Sequence, residues 1–252
     1  MSPEINAGII ELARKGCLTA TSCMSRGKAF RQAAPLLAEL PIEKGLHLNL
    51  TESLDGNAFF QPLPRLILSC YARQIDPGVI KSEIEYQLDA FESAFERAPH
   101  YVDGHQHVHQ LPIVRDCLIE ILLRRYGEQL PWLRSTLRPK QPVRPQTKAA
   151  LIEFLGARAL QTSANRHGFK TNHRFLGIYG FKGGEPGYFK LLDAWIRAAA
   201  PNDLIMCHPA LGPDSADSLN RQRRAEYAIL SSASLRDLLE QHQAFVAKHL
   251  SV

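Results

Sequence analysis

The sequence predicts an α/β fold with mainly parallel strands, and three observations carry that expectation. Short β-branched or alternating segments recur between longer amphipathic ones, the pattern of strands joined by crossover helices. A length of 252 residues suits one α/β domain over 1–252. Histidines fall at the C-terminal ends of two strand candidates, the rim where a parallel sheet gathers its active site.

Taken in order, Ser2 can cap a first helix that Pro3 and Glu4 begin and Gly16 closes, with Ile5, Ile9, Leu12 and Ala13 as its apolar stripe. Residues 18–24 read as a strand, and 28–40 as a helix burying Phe30, Ala33, Leu37 and Leu40. The segment 45–50 alternates with period two. A short helix follows the prolines at 62–64, and then comes a long one capped by Asp76 with Ile80, Ile84, Leu88, Phe91 and Phe95 on one face. A strand near 100–104 runs into a histidine-rich segment, and Pro112 opens a helix ending near Gly127. Strands are expected at 132–136, 174–179 and 203–207, with helices at 146–158, 186–199, 217–231 and 234–249. The segments 138–147 and 163–173 read as surface loops. Six strands are countable and the chain opens on a helix, so the βα order predicts one further strand upstream of Ser2.

Composition narrows the function. Hydrophobic residues at 45% and charged residues at 22% exclude a disordered chain. The net charge is +5, but the basic residues are scattered. Arg124-Arg125 and Arg221-Gln-Arg223-Arg224 sit in helical segments beside Glu120, Glu128 and Glu226 and read as solvated faces, so no nucleic-acid partner is expected. Five cysteines without CxxC spacing read as small core residues in a reducing compartment. No signal peptide is visible and no apolar run approaches ~18 residues, so the expectation is a cytoplasmic protein with no membrane partner. A homodimer is left open.

The chemistry concentrates in Asp103-Gly-His105-Gln-His107-Val-His109. If the segment stays extended, its three imidazoles share one face and can aim at one ion, with Asp103 orienting a ligand. In Gly45-Leu-His47-Leu-Asn49-Leu, His47 and Asn49 share the face opposite Leu46, Leu48 and Leu50. His47 reads as a hydrogen-bonded strand residue by itself and as a metal ligand beside the second cluster. His208, in Cys207-His208-Pro209, reads either as a general acid or base or as a structural histidine. Asp214 and Asp217 either orient it or cap the next helix. Arg134 either binds substrate or is ion-paired, and Tyr179 and Phe181 either stack on a sugar or fill core. No GxSxG elbow is present, which argues against a serine hydrolase.

With these motifs in place the chain resembles the YdjC-like carbohydrate deacetylase family, which includes chitooligosaccharide deacetylases. The resemblance rests on Ser2-Pro-Glu-Ile-Asn-Ala-Gly-Ile-Ile, Thr19-Ala-Thr-Ser, Gly45-Leu-His-Leu-Asn-Leu-Thr, Asp103-Gly-His-Gln-His-Val-His and Met206-Cys-His-Pro, in family order along nearly the whole chain. It implies a distorted TIM-like (β/α) barrel that removes the acetyl group from a small N-acetylated sugar. It also implies a divalent ion, Mg²⁺ or Zn²⁺, held by His47, His105 and an Asp, with His208 beside the reacting amide and His107 lining the substrate pocket. In the family that Asp belongs to an Asp-Asp-Phe-Gly motif ending the first strand, upstream of the segment matching Met1-Ser2-Pro3, and these 252 residues do not include it. Two other readings stay open: a different barrel metal hydrolase such as a phosphoesterase, and a carbohydrate-binding relative without turnover.

Overall fold

The computed structural model describes residues 1–54, 56, 59–139 and 147–247. The chain runs α1 (Pro3–Arg14), β1 (Ala20–Cys23), α2 (Lys28–Ala38), β2 (Glu43–Leu48), α3 (Leu63–Tyr71), α4 (Pro77–Phe95) and β3 (Tyr101–Gly104). A 3-10 turn (His105–Gln110), α5 (Val114–Tyr126), β4 (Trp132–Leu133), α6 (Thr147–Ile152), a π-type turn (Glu153–Ala157) and α7 (Arg158–Arg166) follow. The chain then continues through β5 (Phe175–Leu176), α8 (Gly184–Ala198), β6 (Leu204–Ile205), α9 (Asn220–Ser231) and α10 (Ala233–Gln241).

β1 to β4 form one parallel sheet in sequence order, and β5 and β6 a second parallel pair. A parallel bridge from Leu133 to Thr171 and a bond from the Phe175 N–H to the Leu137 carbonyl link the two. This is the expected distorted (β/α) barrel. Its register aligns Ser22 with Gly45, and His47 with Asp103, so the functional strand ends share one rim.

Packing follows from the sequence pattern. Leu46, Leu48 and Leu50 have no exposed surface and lie under the helices, which turns His47 to the other face. On α4, Ile80, Ile84, Leu88 and Phe91 are fully buried, each worth roughly 1.5–3 kcal/mol of transfer free energy. Asp76 accepts the Gly78 N–H and caps that helix as expected.

Several local expectations are corrected. Ser2 occupies the cap position of α1, but its hydroxyl makes no capping bond. Within α1 the isoleucine buried together with Ile5 is Ile10, with Ile9 only half-buried. The segment expected to loop from 163 begins inside α7, which reaches Arg166; its polar sequence hides a stripe of Leu160 and Ala164 one turn apart. The last helix, expected to reach 249, stops at Gln241, where His242 leaves helical geometry. Most of the loop expected at 138–147 lies outside the described residues.

Candidate active site

His47 at the end of β2 and His105 just after β3 meet over the rim. Their ring centres are 5.4 Å apart and their planes cross at 73°. Two imidazoles bound through ring nitrogens to one tetrahedral ion would have centres about 5.4 Å apart, taking ~2.1 Å for each metal–nitrogen bond and roughly 1.2 Å from nitrogen to ring centre. The observed spacing therefore suits a shared cation.

The carboxylate behind them is Asp103, fully buried. His47 Nδ1 lies 2.7 Å from Asp103 Oδ1. An ionised carboxylate only accepts, so Nδ1 carries the proton of this bond and Nε2 is the nitrogen that would face a metal. The second oxygen accepts from the Ser22 hydroxyl at 3.0 Å and from Arg134. Tyr101 in turn donates to Ser22 at 2.9 Å. Burial alone would lift the pKa of Asp103; the Arg134 guanidinium and His47 outweigh it and hold the group well below the usual carboxylate range. Burial first, and then the neighbouring His47, push His105 down to about 3, so its ring is neutral at pH 7.

The histidine-rich segment does not stay extended. It coils into the 3-10 turn, with Gln106 and His107 at positive φ (51° and 63°). Gly104 makes the turn possible, because a Cβ there would lie 2.7 Å from the His109 backbone nitrogen. The three imidazoles consequently diverge, which corrects the one-face expectation. His105 faces His47; His107 accepts from Arg134 Nη2 at 3.1 Å and packs edge-on against Phe175; His109 is fully buried and donates from Nε2 to the Arg134 carbonyl at 2.8 Å. The turn is anchored below by Gln110, which donates to the Ile152 carbonyl at 2.6 Å and accepts from Thr136 at 2.6 Å.

On the opposite side of the rim, His208 is half-buried, and its Nδ1 has no protein partner among the described residues. Burial, with Arg223 and His47 adding to it, drives its pKa well below that of a free imidazole. The Phe181 ring meets it edge-on at 5.0 Å and stacks obliquely on Tyr179 at 4.8 Å. Tyr179 is itself buried, and its hydroxyl donates to Glu226.

A model of the YdjC-like protein family matches residues 1–241. The chain belongs to this family. Among curated YdjC-like relatives, the human carbohydrate deacetylase is 28% identical over 95% of this chain and 84% of its own length. The chitooligosaccharide deacetylase of Yersinia pestis (strain Pestoides F) is 26% identical over 94% of this chain and 88% of its own. A supposed cellobiose-phosphate cleavage protein from Enterococcus faecalis V583 shares the fold, with a TM-score of 0.66 at 18% identity over 98% of this chain and 92% of that one.

The structure thus brings His47, His105 and Asp103 together and sets Arg134, His107 and His208 near them, whereas Tyr179 lies behind Phe181 against Glu226. Arg134 is 4% exposed, with its guanidinium engaged by Asp103, the Gly104 carbonyl and His107. Asp214 makes only a local turn with the Ala216 N–H, whereas Asp217 both accepts from the Leu219 N–H and binds Arg223 at 2.7 Å. The expectation of a solvated basic face at 221–224 fails at Arg223, which is buried and points toward the rim; Arg221 and Arg224 stay exposed. Glu226, fully buried on the same face of α9, was likewise missed as a site residue. A signal existed: Gln222, Arg223, Glu226 and Leu230 recur at helical spacing, so polar residues occupy the stripe reserved for burial.

Among the described residues no cluster of three or more His, Cys, Asp or Glu forms a ready metal cage. Glu52 approaches His105 Nε2 at 3.6 Å, but it is half-exposed. The two imidazoles would supply two ligands to an ion held there. No helix among the described residues is long and apolar enough to cross a membrane.

Proposed function

We propose that this chain is a hydrolase that removes N-acetyl groups from amino sugars or their oligosaccharides, using a divalent ion, Mg²⁺ or Zn²⁺, on His47 and His105. The observation that carries the reading is the meeting of these two rings over the buried Asp103. The deacetylase names of the curated relatives support it. An ion held there would supply a Lewis acid for the acetamide carbonyl.

The protein's own groups then divide the work. Asp103 fixes the His47 tautomer and ring angle. His208, neutral and unpartnered at Nδ1, takes a proton from the attacking water and returns it to the departing amine nitrogen. The C–N bond breaks, leaving acetate and a free amino sugar. Phe181 offers the sugar an apolar face beside His208. Arg134 and Tyr179, expected as substrate contacts, turn the Arg134 Nη1 and Nη2 groups and the Tyr179 hydroxyl to Asp103, Gly104, His107 and Glu226 and are assigned to holding the site.

A second reading, a sugar-binding relative without turnover, draws on the absence of a third metal-ligating side chain among the described residues. One experiment separates the two: acetate release from N-acetylglucosamine and its short oligomers, with Mg²⁺ or Zn²⁺ added, for the native chain and His105→Ala. Metal-dependent acetate release that His105→Ala abolishes is the expected result. Oligomer binding with no acetate under either ion overturns the hydrolase in favour of the binder.

A further inference from the structure

We infer that Glu226 is a positioning residue that fixes both His208 and Tyr179, joining the rim ends beyond β5 and β6 to α9. This rests on the deacetylase reading for its catalytic meaning, though not for its geometry. One carboxylate oxygen accepts the His208 backbone N–H at 2.5 Å, and the other accepts the Tyr179 hydroxyl at 2.5 Å. Glu226 has no solvent exposure. The nearest cation on its own helix, Arg223, gives its Nε–H to Asp217 at 2.7 Å.

Burying a carboxylate against neutral donors costs free energy that a glutamine or leucine would avoid. What the carboxylate alone supplies is acceptance on both oxygens at once. A glutamine has one accepting atom where the carboxylate has two, so its amide N–H₂ must face one of the two donors. Since the His208 N–H has no alternative, Tyr179 would have to turn its hydroxyl and become the acceptor. Protonating Glu226 imposes the same change, because one oxygen becomes a donor. Tyr179 carries Phe181 on its ring face, and Phe181 abuts His208. The state of Glu226 is thereby transmitted to the position of His208 through both its backbone and the aromatic pair.

The titratable and charged groups facing Glu226 are Tyr179 beyond β5, Tyr188 on α8, Cys207 and His208 beyond β6, and Arg223 on α9. Burial lifts the carboxyl to about 7, against the pull of the His208 N–H, Tyr179 and Arg223. Both forms are therefore populated near neutral pH.

The test uses the full chain and two readouts. In deacetylation kinetics, native kcat should rise through a limb near pH 7. Glu226→Gln should lose that limb and show kcat lowered on the order of tenfold above it, the scale of a small misplacement of a reacting group, with KM changed less than about twofold. Independently of activity, the backbone amide resonance of His208, read in ¹⁵N-histidine-labelled protein with its 10 histidines and assigned through His208→Asn, should titrate near pH 7 in the native chain and stay fixed in Glu226→Gln. A native-like pH–rate profile in Glu226→Gln, or a His208 amide that does not titrate in the native chain, overturns the inference. If no acetate is released by either protein but the amide titrates as described, the deacetylase reading fails while the link from Glu226 to His208 stands.

Discussion

The two halves of the rim hold their functional groups by opposite means. On the β1–β4 side, four parallel strands converge and Asp103 is compensated by a cation, Arg134, as well as by Ser22 and His47. On the β5–β6 side, each strand is two residues long, β6 is only half-buried, and the organising carboxylate is met by an N–H and a phenol. One half spends an ion pair to keep its carboxylate charged at every working pH. The other leaves its carboxylate at the edge of ionisation. The contrast suits two tasks under the proposed function: Asp103 holds His47 in one orientation at every working pH, and Glu226 positions His208 differently as it ionises.

The sharpest way to break this comparison is to remove the charge from the first half. Asp103→Ala leaves Arg134 buried without its counter-charge, and a loss of about 3–5 kcal/mol is expected in denaturant unfolding. Removing the corresponding carboxylate charge in the second half, by Glu226→Gln, leaves no buried cation unpaired and should cost far less at the same pH.

Acid titration sharpens the difference, because the two carboxyls carry opposite signs. Asp103 is held below its usual 3.8, so its contribution is present above that value and lost as the pH falls below it. Glu226 keeps its proton to about 7 where an unfolded chain releases it near 4.5. Its contribution is full below about 4.5 and is lost as the pH climbs to about 7, by up to about 3 kcal/mol. Unfolding free energies measured across pH 4 to 8 should therefore fall more steeply for the native chain than for Glu226→Gln.

A smaller effect probes the turn that carries His105. Gly104→Ala forces a methyl into the His109 backbone and should cost about 1–3 kcal/mol in thermal or denaturant unfolding. Bound metal should fall with it, because the turn sets the direction of His105. The smallest effect belongs to the outer surface, where Arg124 and Arg125 pair with Glu85, Asp89 and Glu92 across α4 and α5. Arg124→Ala should change stability by less than about 0.5 kcal/mol, and less again in high salt.

The same contrast governs what could be read from the sequence. His47, Asp103 and His105 were legible because period-two alternation in β2 and the end of β3 fixes which way a side chain points. The path after Gly104 was not, since two residues at positive φ reverse the chain and neither Gln106 nor His107 advertises that conformation. Gly156, whose φ of 130° marks the π-type turn, brings α6 onto the Gln110 carbonyl through a contact that only the fold creates. Arg223 and Glu226 were hidden because charged residues on a helix ordinarily face water, and only the burial of their whole stripe reverses that expectation. The six strands, and the helices that carry apolar stripes, followed from periodicity; α7 escaped because two small contacts suffice to bury it.

The proposed chemistry depends on one ion shared by two rings. Crystals of the full chain equilibrated with Zn²⁺ and measured at the zinc absorption edge test this directly. An anomalous peak about 2.1 Å from Nε2 of His47 and from one ring nitrogen of His105 is the predicted result. A peak bound to one ring without the other, or none between them at saturating zinc, would contradict it.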